Sequence, residues 1–382
     1  SGRSFPLLII PFLASVAGRP GKPFVAPPRN GAMADFEFRP VEPERYGAFE
    51  RITDYAFHPT DGPSTYDERP ERIADRFGVF AGDELVSVCG HYDFTARLRG
   101  EWVPLAGLAA VATPPEHRRE GHVRRTVAGS LRRWRGAAPL AALWPFDRAY
   151  YAQFGWATAD EVRKYDLPPE QLAFARGAAT GRARPVAVDE WARLRAVNEA
   201  YAADRTLTLR REVESWWRER VLHADGDADE RPHVYGWERD GDLRGYAVYT
   251  FESTGEGFAD RRLSVDDLAY ADHDAFLGLL GFLADHDSQA TSVALATDAR
   301  TGLLDLVADP DAVTCGLHTG PMVRVVDVER ALSTVPYPAD ASGTVTIAVS
   351  DGTAPWNDGV FELAVTDGEG ACERVDAAPD AA

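Results

Sequence analysis

A chain of 382 residues with 60 acidic against 41 basic residues and a formal charge of −19 is too long for one compact domain. It also carries the wrong sign for a non-specific nucleic-acid surface, which sets that partner aside. Only Lys22 and Lys164 are lysines, and so acidic, lysine-poor a balance is expected of a halophile's protein, whose self-repulsion is screened by salt.

In chain order, residues 1–32 read as an upstream extension. Phe5–Ala17 is apolar, but it is too short to span a membrane and is broken by Pro6 and Pro11. Met33 reads as the natural start of a cytoplasmic product with no membrane partner. A strand at Phe36–Arg39, a helix near Pro43–Tyr55, an acidic segment His58–Asp75, and strands Phe77–Ala81 and Leu85–Asp93 follow. An apolar strand then ends at Val111, and a helix is predicted over Gly121–Arg133. Between them stands Thr113-Pro-Pro-Glu-His-Arg-Arg-Glu-Gly121, a basic, glycine-containing turn at a helix N-terminus, which suits a polyphosphate. Neither common nucleotide fingerprint fits it. Leu140–Trp144, a helix holding Tyr151, and a strand at Lys164–Leu167 complete this α/β unit.

Arg176–Pro185 reads as a linker. A second α/β unit runs to about Gly320 without a basic glycine turn, and it is expected to be structural or to wall a substrate pocket. The Trp216-Trp217 pair reads as core and domain interface, and the run Asp225–Glu230 as a solvated loop without calcium-loop spacing. Thr344–Val349 and Val360–Val365 read as antiparallel strands. Cys89, Cys315 and Cys372 show no metal spacing, so no metal and no disulfide framework are expected, and Cys89 reads as a buried thiol.

The spacing Arg118-Arg-Glu-Gly121-His-Val123 resembles the pyrophosphate loop of the GNAT N-acetyltransferases. Tyr151, three residues before Phe154-Gly155, resembles the tyrosine that these enzymes place before that pair. With Trp191, Gly245–Tyr249, Leu263–Leu268 and Met322–Leu332, the chain from Met33 onward is similar to the Eis (enhanced intracellular survival) family. That resemblance implies mixed α/β sheets in two tandem GNAT domains, a catalytic one at 33–180 and a non-catalytic one at 181–320. A sterol-carrier-protein-like domain at 321–382 is implied to follow, in a homo-oligomer.

The resemblance further implies an acetyltransferase using acetyl-coenzyme A and a small-molecule or peptide amine, with direct attack in a ternary complex. Val111, Ala112 and Thr113 would hold the pantetheine arm. Arg118, Arg119, Glu120, Gly121, His122, Val123 and Arg124 would hold the pyrophosphate. Phe146 and Asp147 would add a second contact, and Tyr151 would be the general acid. Phe57 matches an aromatic acceptor-pocket residue; the acidic residue of relatives is here Pro59, for which Asp54 or Asp61 could substitute. His117 and His122 are expected to contact phosphate or lie exposed rather than act as bases. Relatives continue past the point where this chain stops, so a truncated third domain is expected, with a sheet lacking a covering helix and no catalytic carboxylate at Ala382. Two readings of other classes stay open: a catalytically inactive scaffold of this fold, and a lipid carrier built on the last domain.

Overall fold

A computed structural model describes residues 36–58, 74–224, 231–257, 260–298 and 301–376. The extension, Met33, Pro59, Asp61, most of His58–Asp75, Asp225–Glu230 and Ala382 therefore lie outside the described residues. Two seven-stranded sheets and one three-stranded sheet form.

The first sheet begins with β1 (Phe36–Pro40), β2 (Asp75–Ala81), β3 (Glu84–Leu98) and β4 (Glu101–Ala112), with α1 (Tyr46–Phe57) between β1 and β2. α2 (His122–Trp134), β5 (Leu140–Leu143), α3 (Arg148–Ala152) and β6 (Ala157–Thr158) follow. Thr126, Val127, Ser130, Leu131 and Trp134 are buried on α2 at helical spacing. They pack with Cys89, Leu108 and Leu143, while α1 packs by Phe49 on the opposite face of the sheet, near Phe80 and Val88.

The second sheet takes β8 (Arg182–Pro185), β9 (His233–Arg239), β10 (Asp242–Ser253), β11 (Arg261–Tyr270) and β12 (Ser292–Asp298). The helices α4 (Trp191–Ala202), a short α5 (Glu214–Trp216) continued by a π-turn over Trp217–Val221, and α6 (His273–Ala284) accompany it. The expected linker is therefore partly strand: its last four residues pair with β9 at the sheet edge, a position where a terminal proline costs no ladder bond.

The sheets exchange strands. β7 (Glu161–Leu167), expected with the first unit, pairs with β12 and with β13 (Thr314–Thr319) in the second sheet. β14 (Met322–Val325), beyond the expected end of the second unit, inserts between β5 and β6 of the first. Neither body completes its sheet without the other's strand. Leu207, Thr208 and Arg210 also hydrogen-bond to the far half of β3, and Trp216 packs in both cores while Trp217 is fully buried. The sequence reading of that pair as core and interface holds.

The third sheet is β15 (Gly343–Val349), β16 (Gly359–Thr366) and β17 (Glu369–Arg374), and α7 (Val328–Thr334) precedes it. Of the expected sheet without a covering helix, the edge of β17 is not left bare, although Val345 on β15 stays exposed. Ser333 Oγ accepts from Cys372 N at 2.9 Å and Glu329 Oε1 from Arg374 N at 3.0 Å, so α7 satisfies the outer edge of β17. Three hairpins turn through residue pairs with both φ positive, Arg99-Gly100, Asp240-Gly241 and Asp367-Gly368, as two-residue turns between twisted strands require.

An ion pair joins the third sheet to the first. Arg324 on β14 is 5% exposed and gives Nη2 to both oxygens of Asp351 at 2.8 and 2.7 Å. Asp351→Ala would leave a buried guanidinium unpaired, so a stability loss of about 3–5 kcal/mol is expected in urea unfolding; a loss below about 1 kcal/mol would contradict this account.

Candidate functional site

The site starts from a divergence of strands. β4 runs parallel to β5 for only three pairs, Leu105–Leu140, Ala106–Ala141 and Gly107–Ala142. Beyond Gly107 the β5-facing backbone groups of β4 have no strand partner, and a wedge opens between the two. Gly107 is required where it is, because a Cβ there would collide with the Phe94 ring. On its other side β4 bulges against β3. The register passes from Gly90–Ala109 to Val88–Ala112, setting Ala110 and Val111 opposite Cys89. Ala110 takes φ +49°, the left-handed region that costs a non-glycine residue. A bulge of this kind re-aims backbone groups out of the ladder. Composition gives no signal of it, and Ala110 was not legible as a site residue.

The chain leaves β4 through Ala112 and Thr113, whose hydroxyl lies 3.1 Å from Ser87 Oγ. It turns at Pro115–His117 and enters α2 at Gly121 with φ +81°. Arg119, at φ +68°, completes a turn in which no side chain caps the first N–H groups of α2. Those donors and the positive end of the helix dipole are thus free for an anion. Arg118 Nε donates to Thr113 O at 3.1 Å, and its guanidinium sits 5.9 Å from the Tyr55 ring. Arg124 lies over Phe154 at 5.1 Å, and Val123 packs at the edge of the α2 core. Arg125, not singled out from sequence, donates to Glu120 O at 2.7 Å.

His122 corrects the expectation of an exposed or phosphate-contacting imidazole. Its ring is 2% exposed, edge-on to Phe36 at 5.1 Å, with Nε2 at 3.1 Å from Glu120 Oε2. At the helix entry His122 therefore offers its backbone N–H, not its ring, to an anion. His117 lies 3.2 Å from Glu84 Oε1.

Beyond β5, Phe146 is 75% exposed and stacks near Tyr150 and Tyr151 at 5.6 and 5.8 Å. Asp147 caps α3, accepting from Tyr150 N at 3.1 Å, so its carboxylate is already engaged. The Tyr151 ring is buried in the core with Leu108 and Leu143, and no protein hydrogen bond to its hydroxyl is present among the described residues. Burial, then the neighbouring Tyr150 and Cys89, hold this phenol well above its ordinary value, so it stays protonated. Tyr150 is half-buried; burial raises it, and Arg124 opposes that.

Cys89 is fully buried, as its sequence setting suggested. Burial pushes its thiol up to about 12, against a hydrogen bond with Ser130. A thiol that stays protonated at neutral pH is a poor covalent carrier of an acyl group. Beside the turn, the end of α1 exposes Tyr55 and Phe57, 55% and 43% exposed.

The second sheet repeats the strand divergence without the turn. β11 runs parallel to β12 for three pairs, but α6 starts at Asp272, whose carboxylate accepts from Ala275 N at 2.9 Å and pairs with Arg239 and Arg244. A carboxylate already fills that helix N-terminus, where a phosphate would be repelled.

Residues 37–159 match the family model of an acetyltransferase (GNAT) domain, residues 208–325 a second acetyltransferase (GNAT) domain model, and residues 328–382 that of a sterol carrier protein domain. The N-acetyltransferase Eis of Mycobacterium tuberculosis is 27% identical over 338 residues, 84% of this chain and 77% of that protein. Among solved structures, a probable N-acyltransferase from Enterococcus faecalis V583 superposes with a TM-score of 0.78 at 21% identity, covering 91% of this chain and 86% of that one. Eis1 from Mycobacterium abscessus gives 0.71 at 25% identity with the same coverages. Among the described residues, no helix is long and apolar enough to cross a membrane.

Proposed function

We propose that this chain, a GNAT acetyltransferase with tandem GNAT domains and a sterol carrier protein-type third domain, transfers acetyl from acetyl-coenzyme A to an amine in its first domain. The observation that carries the reading is the uncapped, basic, positive-φ entry to α2 beside the wedge of β4 and β5. The residues fit the coenzyme. Backbone N–H groups of 119–124 would face its pyrophosphate under Arg118, Arg119 and Arg124, and Val111, Ala112 and Thr113 would border its arm. Phe146, just beyond β5, would add a second contact. When bound, acetyl-coenzyme A supplies an activated acetyl thioester.

The chain's own groups then have distinct tasks. The bulge at Ala110 turns a backbone donor toward the place where negative charge develops on the acyl oxygen. Tyr151, kept protonated by burial, donates its phenolic proton to the departing sulfur, and the proton shed by the acetylated nitrogen restores the phenol. Cys89, protonated and sealed in the core, is a poor acyl carrier, which supports direct attack by the amine within a ternary complex.

Phe57 and Tyr55 flank the mouth as an aromatic platform for an amine-bearing acceptor, with Asp54 as the acidic residue on the same turn of α1. The two lysines and the charge of −19 support a protein adapted to concentrated salt, which sets the assay medium. A panel of polyamines, aminoglycosides and peptides with free N-termini, followed by coenzyme A release in molar KCl, is expected to give turnover with at least one amine. Silence across all amines would sink the acceptor class.

A further inference from the structure

We propose that His117, Glu120 and His122 form a binding site for a divalent transition metal of the zinc type, built on the outer side of the α2 entry turn. One ligand atom from each of the three lies within 4.8 Å of the other two. That spacing closes onto one ion with small side-chain adjustments, since zinc holds nitrogen and oxygen ligands at about 2.0–2.2 Å. Two imidazoles and one carboxylate are a donor set zinc uses with a fourth position left for water.

The fixed placement of His122 beside Glu120 adds to this geometry. Its ring is 2% exposed, yet Nδ1 has no hydrogen-bond partner. Nδ1 points away from Glu120, whose Oε2 stands 3.1 Å from Nε2, so Nε2 is the nitrogen placed to share an ion with that carboxylate. His122 is fixed in orientation by Phe36 and by Glu120 Oε2 at 3.1 Å. The ring of His117 stands 6.1 Å away, nearly perpendicular to that of His122, with Glu84 Oε1 at 3.2 Å from its Nε2 as an outer carboxylate of the kind that orients metal-bound histidines.

The trio faces β1 and the β2–β3 turn through Phe36 and Glu84, so an ion there would tie the turn to its flank while leaving the N–H groups of α2 free. The site does not depend on the acetyltransferase reading. It was not legible from cysteine spacing, because none of its ligands is a cysteine.

The test is a titration of tag-free, metal-stripped protein with Co2+, read by the visible absorption of four-coordinate cobalt, then displacement by Zn2+ against a chromophoric chelator. One equivalent of Co2+ with an intense four-coordinate spectrum, lost on adding Zn2+, is expected. His117→Gln and Glu120→Gln change side chains at the surface of the turn and spare the buried ring, and each is expected to weaken Zn2+ by at least about 10-fold. Absence of the spectrum in the parent protein, or Zn2+ affinity unchanged in both variants while their circular dichroism is unaltered, would overturn the proposal.

Discussion

Gly121→Glu is expected to weaken acetyl-coenzyme A binding by at least about 100-fold, through backbone strain and misplaced charge together. Gly121 sits at φ +81°, where any L side chain is strained. A Cβ there would stand 3.5 Å from Arg125 Nη1, so space alone does not forbid a substitution. The carboxylate brings the larger effect, because it places negative charge where the proposed site would receive a pyrophosphate. Gly121→Ala separates the two contributions: it keeps the strain without the charge and is expected to lose only about 10-fold. Calorimetric titration of both variants in molar KCl checks this, and an unchanged affinity in the Glu variant would remove the turn from the site.

Tyr151→Phe is expected to lower turnover by about 100-fold, the usual scale for loss of a general acid, with little change in cofactor affinity. The phenyl ring fills the same core space, so the fold should be unaffected. The raised phenol also sets the pH behaviour. Because burial holds Tyr151 well above its ordinary value, the rate it carries should persist as pH passes about 10, where a free phenol begins to lose its proton. Tyr150→Phe serves as the control for register. Tyr150 packs on Phe154 at 5.7 Å and is half-buried, so its hydroxyl should contribute little. If the Tyr150 variant were the damaged one, the acid would have been placed on the wrong residue.

The local signals in the sequence were strong where backbone chemistry is written in residue type. Pro114-Pro115, Gly121 and the buried stripe of α2 mark a strand, a turn and a helix within a residue or two of where they lie. Features set by tertiary packing were not legible. The bulge at Ala110 occurs in a run of alanines and valine that any strand could hold. The burial of His122 depends on Phe36, more than eighty residues earlier. The exchange of β7 and β14 between sheets could not be read from strands whose alternation suits either partner. The edge cover supplied by Ser333 and Glu329 on α7 was missed because a seven-residue helix carries too little periodicity to be distinguished from a turn.

The central claim is that the coenzyme is held at the α2 entry of the first domain and not at the matching helix of the second. Amide hydrogen exchange with and without acetyl-coenzyme A tests it most directly. The account predicts slower exchange at residues 119–124 and 111–113, with no change at the N-terminus of α6 around His273–Phe276, where the Asp272 carboxylate occupies the helix end. Protection at α6, or none at residues 119–124 at saturating coenzyme, would contradict it.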